Sequence, residues 1–284
     1  MADNKMQTNE KKKIYLVLMV LFLIGFAISG VILMRNAIVE HNAKKQYETL
    51  LENVLATEES EKMTEVIMES ETEEIKLDLI AEKNISIPEL KLDWEELAET
   101  NEDVYAWIYI PETKVNYPIL QHPTDDNYYL DRNLDHSKGL PGCIYTQSFN
   151  TKEFTDGNTV LYGHNMKNGT MFKTLHYYED GEFFDANRYI YVYTPEMVLV
   201  YEIYAACEFS DAHLLYSYDF TNEEGITGFL TDLENARGMN NHVVEEIAVP
   251  EEERLITLST CISNKPNNRW LVVGVLLGEK TIEE

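Results

Sequence analysis

The chain has 284 residues, enough for one large domain or two small ones, and 44% of them are hydrophobic. Its 50 acidic residues outnumber its 23 lysines and arginines, which gives a formal net charge of −27 at pH 7. Because so acidic a surface repels a polyanion, the composition argues against nucleic acid as a partner.

The first recognisable element is a long apolar segment near the N-terminus. Residues 14–34 (IYLVLMVLFLIGFAISGVILM) follow three lysines and contain no charged residue. As a helix, such a segment is roughly 31 Å long, which matches the hydrocarbon core of a bilayer. A cleaved signal peptide, the alternative, usually has a shorter apolar region and a small-residue cleavage site. We predict an uncleaved membrane anchor, and the lysines ahead of it predict that residues 1–13 are cytoplasmic and the rest external.

Residues 35–87 are predicted to be an acidic spacer between this anchor and a folded domain. Within them, residues 57–74 (TEESEKMTEVIMESETEE) carry eight acidic residues and one lysine. Like charges at this density repel one another and bury little apolar surface, so a solvated stalk or a frayed helix is expected. A calcium site is the alternative, but the segment lacks the Asp, Asn and Gly residues of a calcium-binding loop. No metal site is predicted.

From residue 88 to residue 284 the pattern is that of a folded domain. Asp93, followed three positions later by Glu96, predicts an N-capped helix that ends near Thr100. A second helix is predicted near Glu223 to Ala236, where apolar residues recur at helical spacing. The remaining runs are rich in Val, Ile, Tyr and Thr and are separated by Gly, Pro, Asn and Asp, which predicts a mainly β barrel or sandwich. These runs are VYAWIYI, KVNYPILQ, GCIYTQ, NTVLYGH, RYIYVYT, VLVYEIYAACEF, RLITLST and WLVVGVLLG.

The last two of these runs bring a cysteine and an arginine together. They are joined by ISNKPNN, a segment of turn-forming residues, with Cys261 at the end of the first run and Arg269 at the start of the second. If the two strands pair antiparallel, both residues lie at one rim of the sheet. The other interpretation is a core cysteine and a solvated edge arginine. Cys143 and Cys207 are predicted to be small buried residues, because three separated cysteines suggest neither a disulfide framework nor a metal site.

A cysteine nucleophile needs a base or proton partner, and one histidine lies where such a group is expected. His164, in NTVLYGHNMKNGTMF, follows an apolar strand and opens a polar Gly/Asn loop. Catalytic groups are often carried by loops at strand ends, so His164 is the predicted partner. The other histidines lie in the spacer or in polar loops without this setting; they are His41, His122, His136, His176, His213 and His242.

Four motifs together resemble the sortase family, and specifically its class B. They are NEDVYAWIYIPETKVNYPILQ, DDNYYLDRN, NTVLYGHNMKNGTMF and TLSTC with a downstream arginine, and the resemblance runs from about residue 101 to residue 278. The helix ahead of the barrel and the helix-containing insert between CEFS and RLITLSTC are similar to class B rather than class A. The chain departs from the family pattern at Ile262, where many sortases have an acidic residue directly after the cysteine.

The resemblance implies a closed eight-stranded β-barrel with an N-terminal helical element and a helix-containing insert before the catalytic strand. It also implies a cysteine transpeptidase of Gram-positive surface proteins, with Cys261 as nucleophile, His164 as proton-transfer partner and Arg269 as the third essential group. Such an enzyme cleaves a C-terminal sorting signal, often of the Asn-Pro-x-Thr type in class B, through a thioacyl intermediate, and passes the acyl group to a cell-wall amine without a cofactor. The expected substrate-binding residues are Leu130, Leu215, Tyr216, Ser259 and Thr260.

Three other functions stay open from the sequence. The first is a sortase that polymerises pilin subunits by using a lysine amine as acceptor. The second is a hydrolytic, membrane-tethered cysteine protease, which added amines would not divert. The third is an anchored adhesin or structural β-domain, in which Cys261 would be no more reactive than Cys143.

Overall fold

The computed structural model describes residues 2–54, 79–244 and 254–282, so the acidic stretch 57–74 lies outside the described residues. These ranges contain six α-helices and nine strands. The helices are α1 (Ala2–Val54), α2 (Leu79–Glu82), α3 (Trp94–Thr100), α4 (Gly181–Ala186), α5 (Leu214–Ser217) and α6 (Glu223–Asn235), with 3₁₀ turns at Tyr128–Leu130 and Phe172–Glu179. The strands are β1 (Val104–Tyr109), β2 (Asn116–Leu120), β3 (Ile144–Tyr145), β4 (Asn158–Tyr162), β5 (Tyr189–Tyr193), β6 (Met197–Ser210), β7 (His242–Val243), β8 (Leu255–Ile262) and β9 (Lys265–Thr281).

Eight of these strands close into a barrel. The order is β5-β1-β2-β3-β4-β8-β9-β6, and β6 pairs back onto β5, while the short β7 adds to β6. The β2–β3 and β4–β8 pairs are parallel, and the other pairs are antiparallel. Closure leaves none of the eight strands with an open edge. The mainly β, eight-stranded barrel expected from the sequence is confirmed.

Large apolar side chains fill the barrel, and a smaller cluster lies beneath the insert. Trp107, Phe172 and Tyr201 are fully buried in the barrel core. The insert helix α6 buries Phe229 and Leu233 in the second cluster, together with side chains from β4, β6, β8 and β9. The position predicted for this helix is therefore confirmed.

The N-terminal cap predicted from the sequence is also present. The side chain of Asp93 accepts a hydrogen bond from the backbone N–H of Glu96 at 2.9 Å, and α3 begins at Trp94. This bond satisfies one of the backbone donors that the first turn of a helix leaves unpaired. The helix ends at Thr100, and the chain then enters β1.

Helix α1 is longer than the predicted anchor and contacts the barrel. The side chains of residues 15–34 are exposed along the helix, and this is a candidate membrane span by length and composition. Beyond it the helix continues to Val54, so residues 35–54 are helical rather than part of a free spacer. Their buried side chains share one face at i, i+4, i+7 and i+11 spacing, namely Ala43, Tyr47, Leu50 and Val54. The charged residues between them conceal this stripe in the sequence.

Candidate active site

The hairpin β8–β9 carries two of the predicted site residues. Cys261 and Arg269 are directly opposite each other in the antiparallel register, which confirms the placement expected from the sequence. The turn is tighter than the ISNKPNN segment suggests, because Ile262 already pairs with Lys265. Residues 265–268 belong to β9, where Asn268 pairs with β6. Opposite residues of a strand pair point to the same face, so the Cys261 and Arg269 side chains project together.

The parallel pair β4–β8 brings the histidine to the same rim. Tyr162 is level with Ser259 at the end of the ladder, and the Gly163 N–H donates to the Ser259 carbonyl at 3.2 Å. His164 lies two residues after Tyr162, and Cys261 lies two residues after Ser259. At Gly163 a Cβ would come within 2.5 Å of Ile144 Cδ1 and 2.6 Å of the buried Phe172 ring, so any larger residue would have to displace these side chains where the chain turns into the histidine loop.

The His164 ring is oriented by a backbone carbonyl. Its Nε2 lies 2.7 Å from the Leu130 carbonyl oxygen. A carbonyl only accepts, so Nε2 carries a hydrogen and donates it. The ring nitrogen left to gain or lose a proton is therefore Nδ1.

The three residues line one cleft of about 250 Å³. Of the substrate-binding residues predicted from the sequence, Leu130, Ser259 and Thr260 line it too. The Thr260 hydroxyl is already engaged, because it donates to the Gly163 carbonyl at 2.7 Å and so ties β8 to the histidine loop. Among the described residues along this cleft, Arg269 is the only lysine or arginine.

The other two predicted substrate-binding residues lie elsewhere. Leu215 and Tyr216 line an adjoining cavity of about 1300 Å³, not the cleft that holds Cys261. The reason is that α5 turns the chain immediately after His213, so that His213 and Leu214 face the cleft instead. Tyr216 is 72% exposed, and its ring centroid is 4.3 Å from that of His213.

Polar side chains that the sequence analysis did not single out complete the cleft. Burial raises the pKa of Tyr162 to about 12, reinforced by the charge of Asp126, and burial also raises the pKa of Tyr145 above its ordinary value. Burial lowers the pKa of His213 against the opposing effect of Asp126. These three groups are therefore uncharged at neutral pH. Within the described ranges, the Tyr162 hydroxyl and His213 Nδ1 are buried atoms without a hydrogen-bond partner.

The three cysteines differ in the way that the sequence suggests. Cys261 is exposed, whereas Cys143 and Cys207 are buried. Burial raises the pKa of the Cys143 thiol to about 12, and burial alone raises that of Cys207 to about 12. Since the thiolate is the reactive form, these two thiols are inert at neutral pH while Cys261 is accessible.

A closed barrel that presents an exposed cysteine beside a histidine and an arginine at one rim defines a cysteine-dependent enzyme of the acyl-transfer type. Residues 108–277 match the sortase domain family. Sortase B of Listeria monocytogenes is 31% identical over 191 residues, which cover 66% of this chain and 76% of that protein. The chain therefore belongs to the sortase family, in class B, and is a cysteine transpeptidase.

Solved structures agree with this assignment. The sortase B structure from Clostridium perfringens has a TM-score of 0.58 at 28% identity and covers 65% of this chain and 99% of that chain. A Streptococcus pyogenes class B sortase involved in pilus biogenesis has a TM-score of 0.56 at 25% identity, with coverages of 65% and 97%. These matches do not favour an adhesin, a hydrolytic protease or a pilin-polymerising sortase over the transpeptidase function expected from the sequence.

Proposed function

We propose that Cys261 is the nucleophile of this transpeptidase, with His164 and Arg269 as its catalytic partners. The observation that carries the proposal is the convergence of the β4 and β8 ends, which brings His164 to the cleft where Cys261 lies opposite Arg269. The Cys261 thiolate attacks the scissile carbonyl carbon of a sorting signal. The carbon–nitrogen bond then breaks, and a thioester to Cys261 remains.

His164 transfers the proton in both halves of the reaction. With Nε2–H held by the Leu130 carbonyl, its Nδ1–H is given to the departing amine as the first product leaves. Nδ1 then takes a proton from the incoming amine, which attacks the thioester and releases the Cys261 thiolate. General acid–base catalysis of this kind contributes about 10²–10⁴-fold to a rate.

Arg269 stabilises the negative charge that develops on the carbonyl oxygen. Its two hydrogen bonds to described residues, to the carbonyls of Pro266 and Asn268 at 3.0 Å each, both come from Nη1. The Nε and Nη2 donors are therefore left for a substrate oxygen. A fixed cation in a cleft whose tyrosines and His213 are neutral at pH 7 favours an oxyanion over the neutral ground state.

The substrates are secreted proteins that carry a C-terminal sorting signal, and the acceptor is an amine of a cell-wall precursor, as is general for sortases. The cleft binds the signal through residues that line it, among them Leu130, Ser259 and Thr260. Leu215 and Tyr216 act from the adjoining cavity.

The enzyme works at the cell membrane, with residues 14–34 as a single-pass anchor. Support comes from the exposed apolar side chains along α1 and from the lysines ahead of them, which orient the N-terminus to the cytoplasm. The catalytic domain is then external, on the side where secreted substrates and cell-wall precursors meet.

Mass spectrometry tests the reaction. The enzyme is incubated with a library of Asn-Pro-x-Thr-type peptides and with triglycine, diaminopimelate or a lysine-containing peptide as acceptor. We expect a thioacyl adduct on Cys261 and amine-linked products, and Cys261→Ala should form neither. Hydrolysis that added amines do not divert would indicate a protease, and a strict preference for the lysine peptide would indicate a pilin polymerase.

A further inference from the structure

Two side chains of the segment that follows His164 lie within 3.1 Å of the backbone carbonyl oxygen of Cys261. Asn165 Nδ2 donates to this carbonyl at 2.8 Å, and His176 Nε2 lies 3.1 Å from the same oxygen. Asn165 Nδ2 is also 2.9 Å from His176 Nε2. In the sequence His176 is one of the histidines without a catalytic setting, so its position beside Cys261 becomes evident only in the structure.

A carboxylate decides how the hydrogens in this cluster are arranged. Glu179 Oε1 is 2.5 Å from His176 Nδ1, so Nδ1 carries the hydrogen and donates it. In the neutral ring, Nε2 is then an acceptor, and it takes one N–H of the Asn165 amide. The second N–H of that amide donates to the Cys261 carbonyl. This assignment gives every donor in the cluster an acceptor.

Strand ends explain why the carbonyl needs such support. β4 ends at Tyr162, level with Ser259, so β8 runs past its parallel partner before it reaches Cys261. On the other side, the register of the hairpin shifts between Cys261 and Ile262. The regular ladder therefore stops at the nucleophile, and a side-chain amide takes the place of the next backbone donor.

The same segment also contacts the second strand of the hairpin. The His176 ring lies parallel to that of Trp270, with centroids 5.8 Å apart and planes at 23°. Trp270 follows Arg269 directly, and its Nε1 donates to the Leu175 carbonyl at 2.9 Å. The His176 side chain is only 11% exposed, so packing fixes its rotamer. Residues 164–179 therefore contact both strands of the hairpin, β8 at Cys261 and β9 at Trp270.

We propose that Asn165, His176 and Glu179 are positioning residues that fix the Cys261 main chain and thereby aim its thiol at the scissile carbon. The proposal rests on the proposed role of Cys261 as nucleophile. Asn165 makes the contact, His176 orients the Asn165 amide, and Glu179 sets the tautomer of His176. None of the three needs to touch substrate. Their removal should slow attack by the thiol and leave peptide binding unchanged.

The first test is His176→Phe in the full chain in detergent micelles. Phenylalanine keeps the ring that packs against Trp270 but has neither nitrogen. With a fluorogenic Asn-Pro-x-Thr-type peptide, we expect kcat to fall on the order of 10-fold, because small misplacements of a reacting group are costly, with KM unchanged and a near-native Tm. The matched control is His242→Phe. It removes an imidazole that lies 3.2 Å from the Glu179 carbonyl and bonds no atom of Cys261 in the described structure, so kcat should stay within about 2-fold of wild type.

Three further variants separate positioning from simple loss of stability. Glu179→Gln keeps an oxygen acceptor for His176 Nδ1 and should retain activity within about 3-fold, whereas Glu179→Ala should resemble His176→Phe. Asn165→Ala combined with His176→Phe should cost little more than either change alone, because both act on one carbonyl. Additive losses, a loss confined to Tm, or a His176→Phe enzyme with wild-type kcat would overturn the proposal.

Adduct formation by the wild-type enzyme distinguishes failure of the proposed function from failure of the positioning role. If wild-type enzyme forms no thioacyl adduct on Cys261, the proposed function fails. If the adduct forms at the wild-type rate in His176→Phe and Glu179→Ala, only the positioning role fails. Glu179 is partly exposed, so its variants fold even if those at His176 do not.

Discussion

Truncating one side chain of α1 tests whether this helix is part of the catalytic domain or only its anchor. Leu50 is 5% exposed and belongs to the apolar face of α1 that packs on the barrel. In a fragment of residues 36–284, Leu50→Ala should lower the free energy of unfolding by about 2–5 kcal/mol, the usual cost of truncating a buried leucine. A domain of this size shifts its Tm by roughly 2–4 °C per kcal/mol, so the lower bound corresponds to a drop of about 4–8 °C.

Differential scanning fluorimetry measures this change, and the helix supplies its own control. Glu48 is exposed, and among the described residues its ion pair is the i,i+4 pair with Lys44, at 3.5 Å. Such a pair contributes at most about 0.5 kcal/mol, so Glu48→Ala should leave Tm nearly unchanged. The fragment 36–284 itself should be soluble and active, since residues 14–34 add no core. Equal Tm values for the Leu50→Ala and Glu48→Ala fragments would show that α1 does not pack on the barrel.

Three further predictions concern the cleft. Arg269→Lys should keep a near-native Tm yet lose on the order of 10²-fold in kcat/KM, because lysine lacks the planar pair of donors. Turnover within a few-fold of wild type would show that Arg269 is only a charged residue at the edge of the cleft. A methanethiosulfonate reagent should label Cys261 and abolish turnover. Cys143 and Cys207 should stay unlabelled in the folded protein, because both are buried and burial raises their pKa values. Peptide mapping locates the label, and labelling of either buried thiol first would contradict the prediction. Thr260→Val should lower the free energy of unfolding by about 1–3 kcal/mol, because the Gly163 carbonyl loses its donor, and a stability equal to wild type in urea titration would refute that role.

Local and nearest-neighbour patterns account for what could be predicted from the sequence. The cap at Asp93 depends on a side chain and a backbone group three residues apart, and the insert helix shows its apolar face within four turns. The pairing of Cys261 with Arg269 follows from two consecutive strands and one short turn. Each of these features is contained within a short window of sequence.

The features that could not be predicted depend on contacts between distant segments. Charged residues interrupt the buried face of α1 in the sequence. Its apolar spacing becomes evident only when the helix is packed on the barrel, where the Tyr47 hydroxyl donates a hydrogen bond to the Gly142 carbonyl. In the sequence His176 is one polar-loop histidine among several, and only the fold brings its 3₁₀ turn beside Cys261, 85 positions later in the chain. The direction in which α5 turns, which moves Leu215 and Tyr216 out of the cleft, likewise depends on tertiary packing.

The strand order of the barrel has a consequence for when the enzyme becomes competent during biosynthesis. Among the described strands of the barrel, β8 and β9 come latest in the chain, yet they fill the gap between β4 and β6, so the barrel cannot close without them. His164 is made long before Cys261, and the two meet only through a parallel pairing of high sequence separation, the slowest kind of contact to form. A nascent chain therefore holds the His164 loop without the strand that carries Cys261. Thiol chemistry begins only when the β8–β9 hairpin has inserted, which couples the onset of activity to closure of the barrel.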